Sequence, residues 1–151
     1  RILCLRSNSR MRMPANKRTD AYLDVVEQAG LSALVREVEF VKPDDEKGAV
    51  VAKILDENPD IDGIFAGDDT MAAICLNVMK QRGLSAPDDI KVVGADGARR
   101  TMTFMPDLTT VRQDIDRIGE LAAQSIIALI NGEKPVSNIK LPVELIEGKT
   151  A

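Results

Sequence analysis

The chain has no histidine and no tryptophan, and aromatic residues make up only 3% of its 151 positions. Without histidine a Ser-His-Asp triad is impossible, and the commonest nitrogen ligand of zinc is missing. Only two cysteines occur, Cys4 and Cys75, with no CxxC pair. A thiol redox motif, a zinc ribbon and a disulfide framework are therefore not expected, and both cysteines read as small buried hydrophobes. No apolar run approaches the roughly 18 residues a membrane helix needs, and no signal peptide is visible. A cytoplasmic location is the default, although the sequence opens at Arg1 in a strand-like run, which leaves upstream targeting open. Neither G-x-G-x-x-G nor G-x-x-x-x-G-K-[ST] is present, so a dinucleotide or nucleoside triphosphate cradle has no support and no cofactor is expected. Basic charge is also short: 20 Lys and Arg stand against 24 Asp and Glu, giving net charge −4. A whole-domain nucleic-acid footprint would show the opposite balance, so any contact with DNA falls to another segment.

The residues that are present spell a folded α/β unit. A length of 151 with 44% apolar residues suits one domain. Short β-rich runs alternate with helical periods, the pattern of βαβ units on an open parallel sheet with helices on both faces. Ile2 to Leu5 reads as a first strand, followed by a polar stretch from Ser7 to Asn16. Tyr22, Val25, Val26 and Ala29 form one helical face that Gly30 stops. Leu34 to Val41 reads as an edge strand, because Arg36 and Glu37 interrupt it. A helix capped by Asp44 or Asp45 carries Val51, Ile54 and Leu55 inward and closes at Asn58-Pro59. Ile61 to Gly67 is a third strand, leading into a helix with Met71, Cys75, Val78 and Met79 on one side and Asp69 or Thr70 as cap. A fourth strand from Ile90 ends at Asp96, and a loop rich in Arg and Met joins it to an extended piece, Leu108 to Val111. Met102, Phe104 and Met105 in that loop call for cover from their own domain or from a partner subunit. Asp114 caps a helix striped by Ile115, Ile118, Ala122, Ile126 and Leu129 and ended by Gly132. The chain returns as a strand in which Ile139, Leu141, Val143 and Leu145 alternate with polar residues, and Pro142 favours an edge.

Open parallel sheets bind ligands beyond the carboxyl ends of their strands. That rule singles out Asp68 and Asp96, at the ends of strands three and four, with Arg18 entering the first helix as the cation between them. Carboxylates that accept from adjacent hydroxyls and an Arg that donates to oxygens suit a polyol or a sugar. The competing use of an Asp at such a junction is a plain helix cap, which is the reading for Asp69. A Mg²⁺-dependent phosphoryl-transfer site is the rival chemistry, but Ser7 and Asn8 stand where its strand-one Asp belongs, and Gly67-Asp68-Asp69-Thr70 lacks the phosphatase spacing. Arg1, Arg6, Arg10, Arg12, Lys17 and Arg18 crowd the start, and Arg99-Arg100 follow Asp96. Most read as solvated surface, with a phosphorylated sugar as the alternative they would favour.

Four segments carry a family likeness. Ile64 to Ala72, Gly83 to Asp96 and Pro106 to Gln113 resemble, in order and spacing, the lactose-repressor and galactose-repressor family of bacterial transcription regulators, as does the closing Leu141 to Thr150. The Leu-Thr-Thr-Val-Arg-Gln run and the Pro-Asp-Asp-Ile segment separate these regulators from the related periplasmic sugar-binding proteins, which share the fold and feed transporters. The resemblance implies a periplasmic-binding-protein type I fold, with two subdomains around an effector cleft and a DNA-binding headpiece ahead of both. Residues 1–151 then correspond to the C-terminal part of the effector-binding core, with 113–135 belonging to the other subdomain and the DNA-binding domain outside the sequence. Arg18 matches the family's Arg-x-x-Gly-aromatic pattern, although Ala21 replaces the Gly before Tyr22. Asp96 matches the Gly-aromatic-Asp pattern, although Ala95 replaces the aromatic ring. Asp68 stands where Asn is usual, and Gln113 falls at a crossover beside the cleft. The implied function is effector sensing, with a sugar or related molecule bound by Arg18, Asp68, Asp96 and Gln113, in a homodimer, without catalysis and without a membrane. The implied position of the Asp114 to Asn131 helix leaves its stripe uncovered, at a cost of about 1.5–3 kcal/mol per large side chain. It is expected to repack on its own domain or swap into a neighbouring chain.

Overall fold

The structure, a computed structural model, describes residues 1–8, 14–135 and 138–151, with the side chains of 14–16 outside that description. Residues 9–13 of the expected Ser7 to Asn16 polar stretch, Arg10 and Arg12 among them, lie outside the described residues. One six-stranded sheet organises the chain, in the order β2-β1-β3-β4-β5-β6. Its strands are β1 (Ile2–Asn8), β2 (Leu34–Glu39), β3 (Gly63–Ala66), β4 (Lys91–Asp96), β5 (Thr109–Gln113) and β6 (Val143–Ile146). The first five pair in parallel, and β6 closes the far edge antiparallel to β5. Five helices connect them: α1 (Pro14–Gln28), α2 (Asp44–Glu57), α3 (Asp69–Gln81), α4 (Arg99–Phe104) and α5 (Ile115–Ile130).

The alternation along β1 sets the layers. Leu3 and Leu5 point to one face, where they join Val51, Ile54 and Leu55 of α2 and Met71, Cys75, Val78 and Met79 of α3 in the main core. Cys4 points to the other face and meets Tyr22 and Val26 of α1. Successive side chains of a strand leave on opposite sides, so a strand apolar throughout needs helices on both. The Tyr22 hydroxyl donates to the Ile2 carbonyl at 2.8 Å and accepts from the Leu34 amide at 2.9 Å, fastening α1 across β1 and β2. The C-terminal segment is threaded into the sheet base. The Thr150 hydroxyl donates to the Val92 carbonyl at 2.7 Å and accepts from the Thr109 amide at 2.9 Å.

Several local expectations change. β1 runs on through Ser7 and Asn8, because β2 continues beside it as far as the Asn8–Glu39 pair. β2 stops at Glu39, and β3 covers only Gly63–Ala66. The Arg- and Met-rich stretch is not a loop but the short helix α4, with Met105 partly buried against the core and Phe104 exposed. α5 does begin after a capping Asp114, whose carboxylate accepts from the Arg117 amide at 3.0 Å. It does not repack on its own sheet: none of its residues is buried, and Ile126, Ile127 and Leu129 are each more than half exposed. β6 likewise shows no buried face, with Val143 and Leu145 exposed. Beyond α1, an open apolar groove of about 970 Å³ runs over Phe65, Val93 and Val111.

Candidate functional site

The chain reverses direction across the sheet between β1 and β3: β2 lies on one side of β1, and all later strands lie on the other. Such a switch point opens a crevice at the strand carboxyl ends. β3, β4 and β5 end side by side there, and α1 starts above them. Adjacent strands lie about 4.8 Å apart, so side chains at the three ends can reach one another.

They do. The Arg18 guanidinium, on α1, donates through Nη2 to Asp96 Oδ1 at 2.6 Å and through Nη1 to the Gly67 carbonyl at 2.5 Å. Gln113 Nε2, at the end of β5, donates to the same Asp96 oxygen at 2.7 Å. One carboxylate oxygen thus takes two donors from two different elements, and among the described residues Oδ2 of Asp96 carries no hydrogen bond. The Arg18 and Asp96 side chains are 23% and 34% exposed. The pair is shielded enough to hold its geometry and open enough to meet a solute. Of the four expected site residues, Arg18, Asp96 and Gln113 are thus joined by hydrogen bonds, whereas the expected convergence of Asp68 with Asp96 on Arg18 is not formed among the described residues.

Asp68 is placed differently. Its Oδ1 accepts from the Met71 amide at 2.8 Å, making Asp68 the N-cap of α3 in place of the expected Asp69 or Thr70. The cap satisfies one of the helix's unpaired amides and leaves Asp68 half-buried at the same sheet edge. Asp69, expected as a cap, is 3% exposed and faces inward. Its Oδ2 accepts from the Gly97 amide at 2.8 Å and its Oδ1 from the Thr110 hydroxyl at 2.6 Å. Burial pushes its carboxyl above the usual range, against the lowering effect of the Thr110 and Gly97 hydrogen bonds, and the nearby charge of Asp96 adds to the rise.

The turn after β4 is strained. Asp96 has φ 121°, a region that costs a non-glycine residue about 1–3 kcal/mol. Gly97 follows at φ 59°, and a Cβ there would lie 2.6 Å from Cβ of Arg112. Gly94 makes room on the other side, because a Cβ on it would meet Asp69 Oδ1 at 2.5 Å. Sequence reasoning missed the roles of Asp69, Gly97 and Thr110. The Asp-Gly step at 96–97 was a usable turn signal. Nothing local to Asp69 or Thr110 announces a contact 41 residues apart.

Chemically, the site offers a carboxylate oxygen, the guanidinium and the Gln113 amide, which both donates and accepts. This set matches vicinal hydroxyls, each a donor and an acceptor. Among the described residues, no group of three or more His, Cys, Asp or Glu is placed to hold a metal ion. None of the described helices is long and apolar enough to cross a membrane.

Fold and site define a periplasmic binding protein-like domain, the family whose description matches residues 1–151, and the chain belongs to it. Its relatives are LacI-family transcription repressors rather than transporter components. The ribose operon repressor of Halalkalibacterium halodurans is 32% identical over 91% of this chain and 41% of its own length. The sucrose operon repressor of Pediococcus pentosaceus is 32% identical over 91% of the chain and 43% of its own. The LacI family transcriptional regulator from Arthrobacter sp. FB24, solved in complex with lactose, superposes with a TM-score of 0.81 at 26% identity. That match covers 99% of this chain and 56% of the other. The chain thus spans less than half the length of these curated relatives.

Proposed function

We propose that this chain is the C-terminal portion of a sugar-effector domain in a LacI-type DNA-binding transcription regulator. The observation that carries the reading is the meeting of Arg18, Asp96 and Gln113 at the switch point, with one carboxylate oxygen left to a ligand. Asp96 Oδ2 accepts from ligand hydroxyls, Gln113 and Arg18 donate to ligand oxygens, and Asp68 offers its second oxygen from the α3 cap. The role is binding without catalysis or cofactor, in a cytoplasmic homodimer whose DNA contact lies outside these 151 residues. The acidic balance supports that division of labour. Gln113 stands at the crossover, and residues 113–135 belong to a second subdomain against which the α5 stripe is buried. A ligand that grips both subdomains shifts their relative arrangement, and that bias is what DNA binding reads.

Calorimetry on the intact protein with ribose, sucrose and lactose tests the reading. We expect one of these sugars to bind and Asp96→Ala to lower its affinity at least tenfold. Undiminished binding in that variant would remove the site assignment, and no binding of any sugar would remove the ligand class. Sedimentation of the 151-residue chain tests the α5 assignment. Self-association is expected where the stripe lacks its partner, and a dilute monomer with α5 fully helical and exposed would contradict it.

A further inference from the structure

We propose that Asp69 is the positioning residue that holds the effector-gripping carboxylate of Asp96 in place from behind the sheet. Two hands hold Asp96. Arg18 and Gln113 fix its side chain from the crevice side. Its backbone is fixed from the other side, where Asp69 Oδ2 takes the amide of Gly97, the residue next to Asp96. Without that acceptor the Gly97 amide is buried and unpaired, and nothing on that side keeps Asp96 at a positive φ that its side chain disfavours. The second oxygen of Asp69 anchors it to the Thr110 hydroxyl, and Thr110 is fully buried on β5, three residues before Gln113. One inward carboxylate therefore links the start of α3, the turn after β4 and the strand that delivers Gln113.

The close fit around it is selective. Gly94, paired in register with Thr110, leaves the space the carboxylate occupies, since a Cβ there would strike Asp69 Oδ1. The Asp69 carboxylate bonds to Gly97 and Thr110 and to none of the ligand-gripping side chains, so its effect on binding passes through the turn that carries Asp96 and the strand that carries Gln113. An Asn in its place keeps an acceptor for the Gly97 amide and turns its NH₂ toward Thr110 Oγ1, which then accepts. Alanine keeps neither contact. The consequence for binding rests on the sugar-effector reading; the consequence for geometry does not.

The test uses ¹⁵N-labelled intact protein carrying Asp69→Ala, Asp69→Asn or Thr110→Val. Three quantities are read: hydrogen exchange of the Gly97 amide, the Arg18 guanidinium and Gln113 side-chain amide signals, and affinity for whichever of ribose, sucrose and lactose binds the unsubstituted protein. Asp69→Ala should accelerate Gly97 exchange at least tenfold, shift the Arg18 and Gln113 signals toward solvent-exposed values and weaken sugar binding about tenfold. Asp69→Asn should restore all three to within about threefold. Thr110→Val, which keeps the side-chain volume and serves should the alanine variant not fold, should move each in the same direction by a smaller factor. A tie that serves the fold alone would lower the urea midpoint while leaving the Arg18 and Gln113 signals and the affinity of the folded protein unchanged, and that result overturns the proposal. If no sugar binds the unsubstituted protein, the effector reading fails, and the Arg18 and Gln113 signals still decide the positioning role.

Discussion

Severing the Arg18–Asp96 pair gives the most informative stability change in the molecule. Exposed ion pairs contribute about 0.2–1 kcal/mol, whereas removing one member of a fully buried pair costs about 3–5 kcal/mol. At 23% and 34% side-chain exposure, and with Gln113 remaining as a partner for Asp96, this pair falls between those limits. Arg18→Met, which preserves most of the aliphatic stem, is therefore expected to cost about 1.5–2.5 kcal/mol. With a urea slope of about 1.5–2.5 kcal/mol/M for a chain of this size, the unfolding midpoint should fall by roughly 1 M. A double-mutant cycle with Asp96→Asn, which keeps the shape and the acceptor for Gln113 but removes the charge, isolates the charged contact. The expected coupling is about 1 kcal/mol, so that Arg18→Met becomes much milder once Asp96 is neutral. Circular dichroism in urea supplies all four midpoints. A coupling below about 0.3 kcal/mol would show the pair to be solvated like any surface pair, and the reasoning that makes Arg18 a fixed wall of the site would be wrong.

Gly97→Ala, at φ 59° with Arg112 atoms within 3 Å of the new Cβ, should cost about 2–4 kcal/mol by urea denaturation. A loss under 1 kcal/mol would contradict the tight turn. Burial pushes the Cys75 thiol up to about 12 and raises that of Cys4. A colorimetric disulfide reagent should therefore label neither in the native protein and both in urea. Two carboxyls impose opposite pH slopes. The Ser85 amide and hydroxyl hold the Asp89 carboxyl below its usual range, so its stabilisation is present above pH 4 and lost as pH falls through its native pKa. Burial holds the Asp69 carboxyl above its usual range, so its contribution is complete below its unfolded pKa of 3.8 and declines as pH rises through its native value. Midpoints measured from pH 3 to 7 should show Asp69→Asn gaining on the parent as pH rises across that window. A parallel pair of curves would refute the assignment.

The sheet was legible because both of its signals are local. Leu3, Cys4 and Leu5 form an unbroken apolar run, and Val51, Ile54 and Leu55 repeat at helical spacing, so strand and helix each follow from neighbours in sequence. Asp96 could be named because it ends such a run, and a parallel strand's carboxyl end is where ligands sit. The misreadings share one cause. Asp68 and Asp69 are chemically identical neighbours at the head of α3, and which of them turns outward to cap and which inward depends on Gly97 and Thr110, far along the chain. The Arg- and Met-rich segment carries weak turn chemistry, and only the packing of Met105 against the core gives α4 its place. The alternation in Ile139 to Leu145 and the stripe of α5 are real patterns, yet periodicity does not say what covers an apolar face, and Val143, Leu145, Ile126, Ile127 and Leu129 are all exposed.

The proposed effector site depends on Arg18, Asp96 and Gln113 gripping a hydroxyl-rich ligand together. Titrating the intact ¹⁵N-labelled protein with the sugar that calorimetry selects, while following the Gln113 side-chain amide and the Arg18 guanidinium, tests it directly. Both sets of signals should move saturably with the calorimetric affinity. A sugar that saturates the protein while both stay fixed would place the site elsewhere.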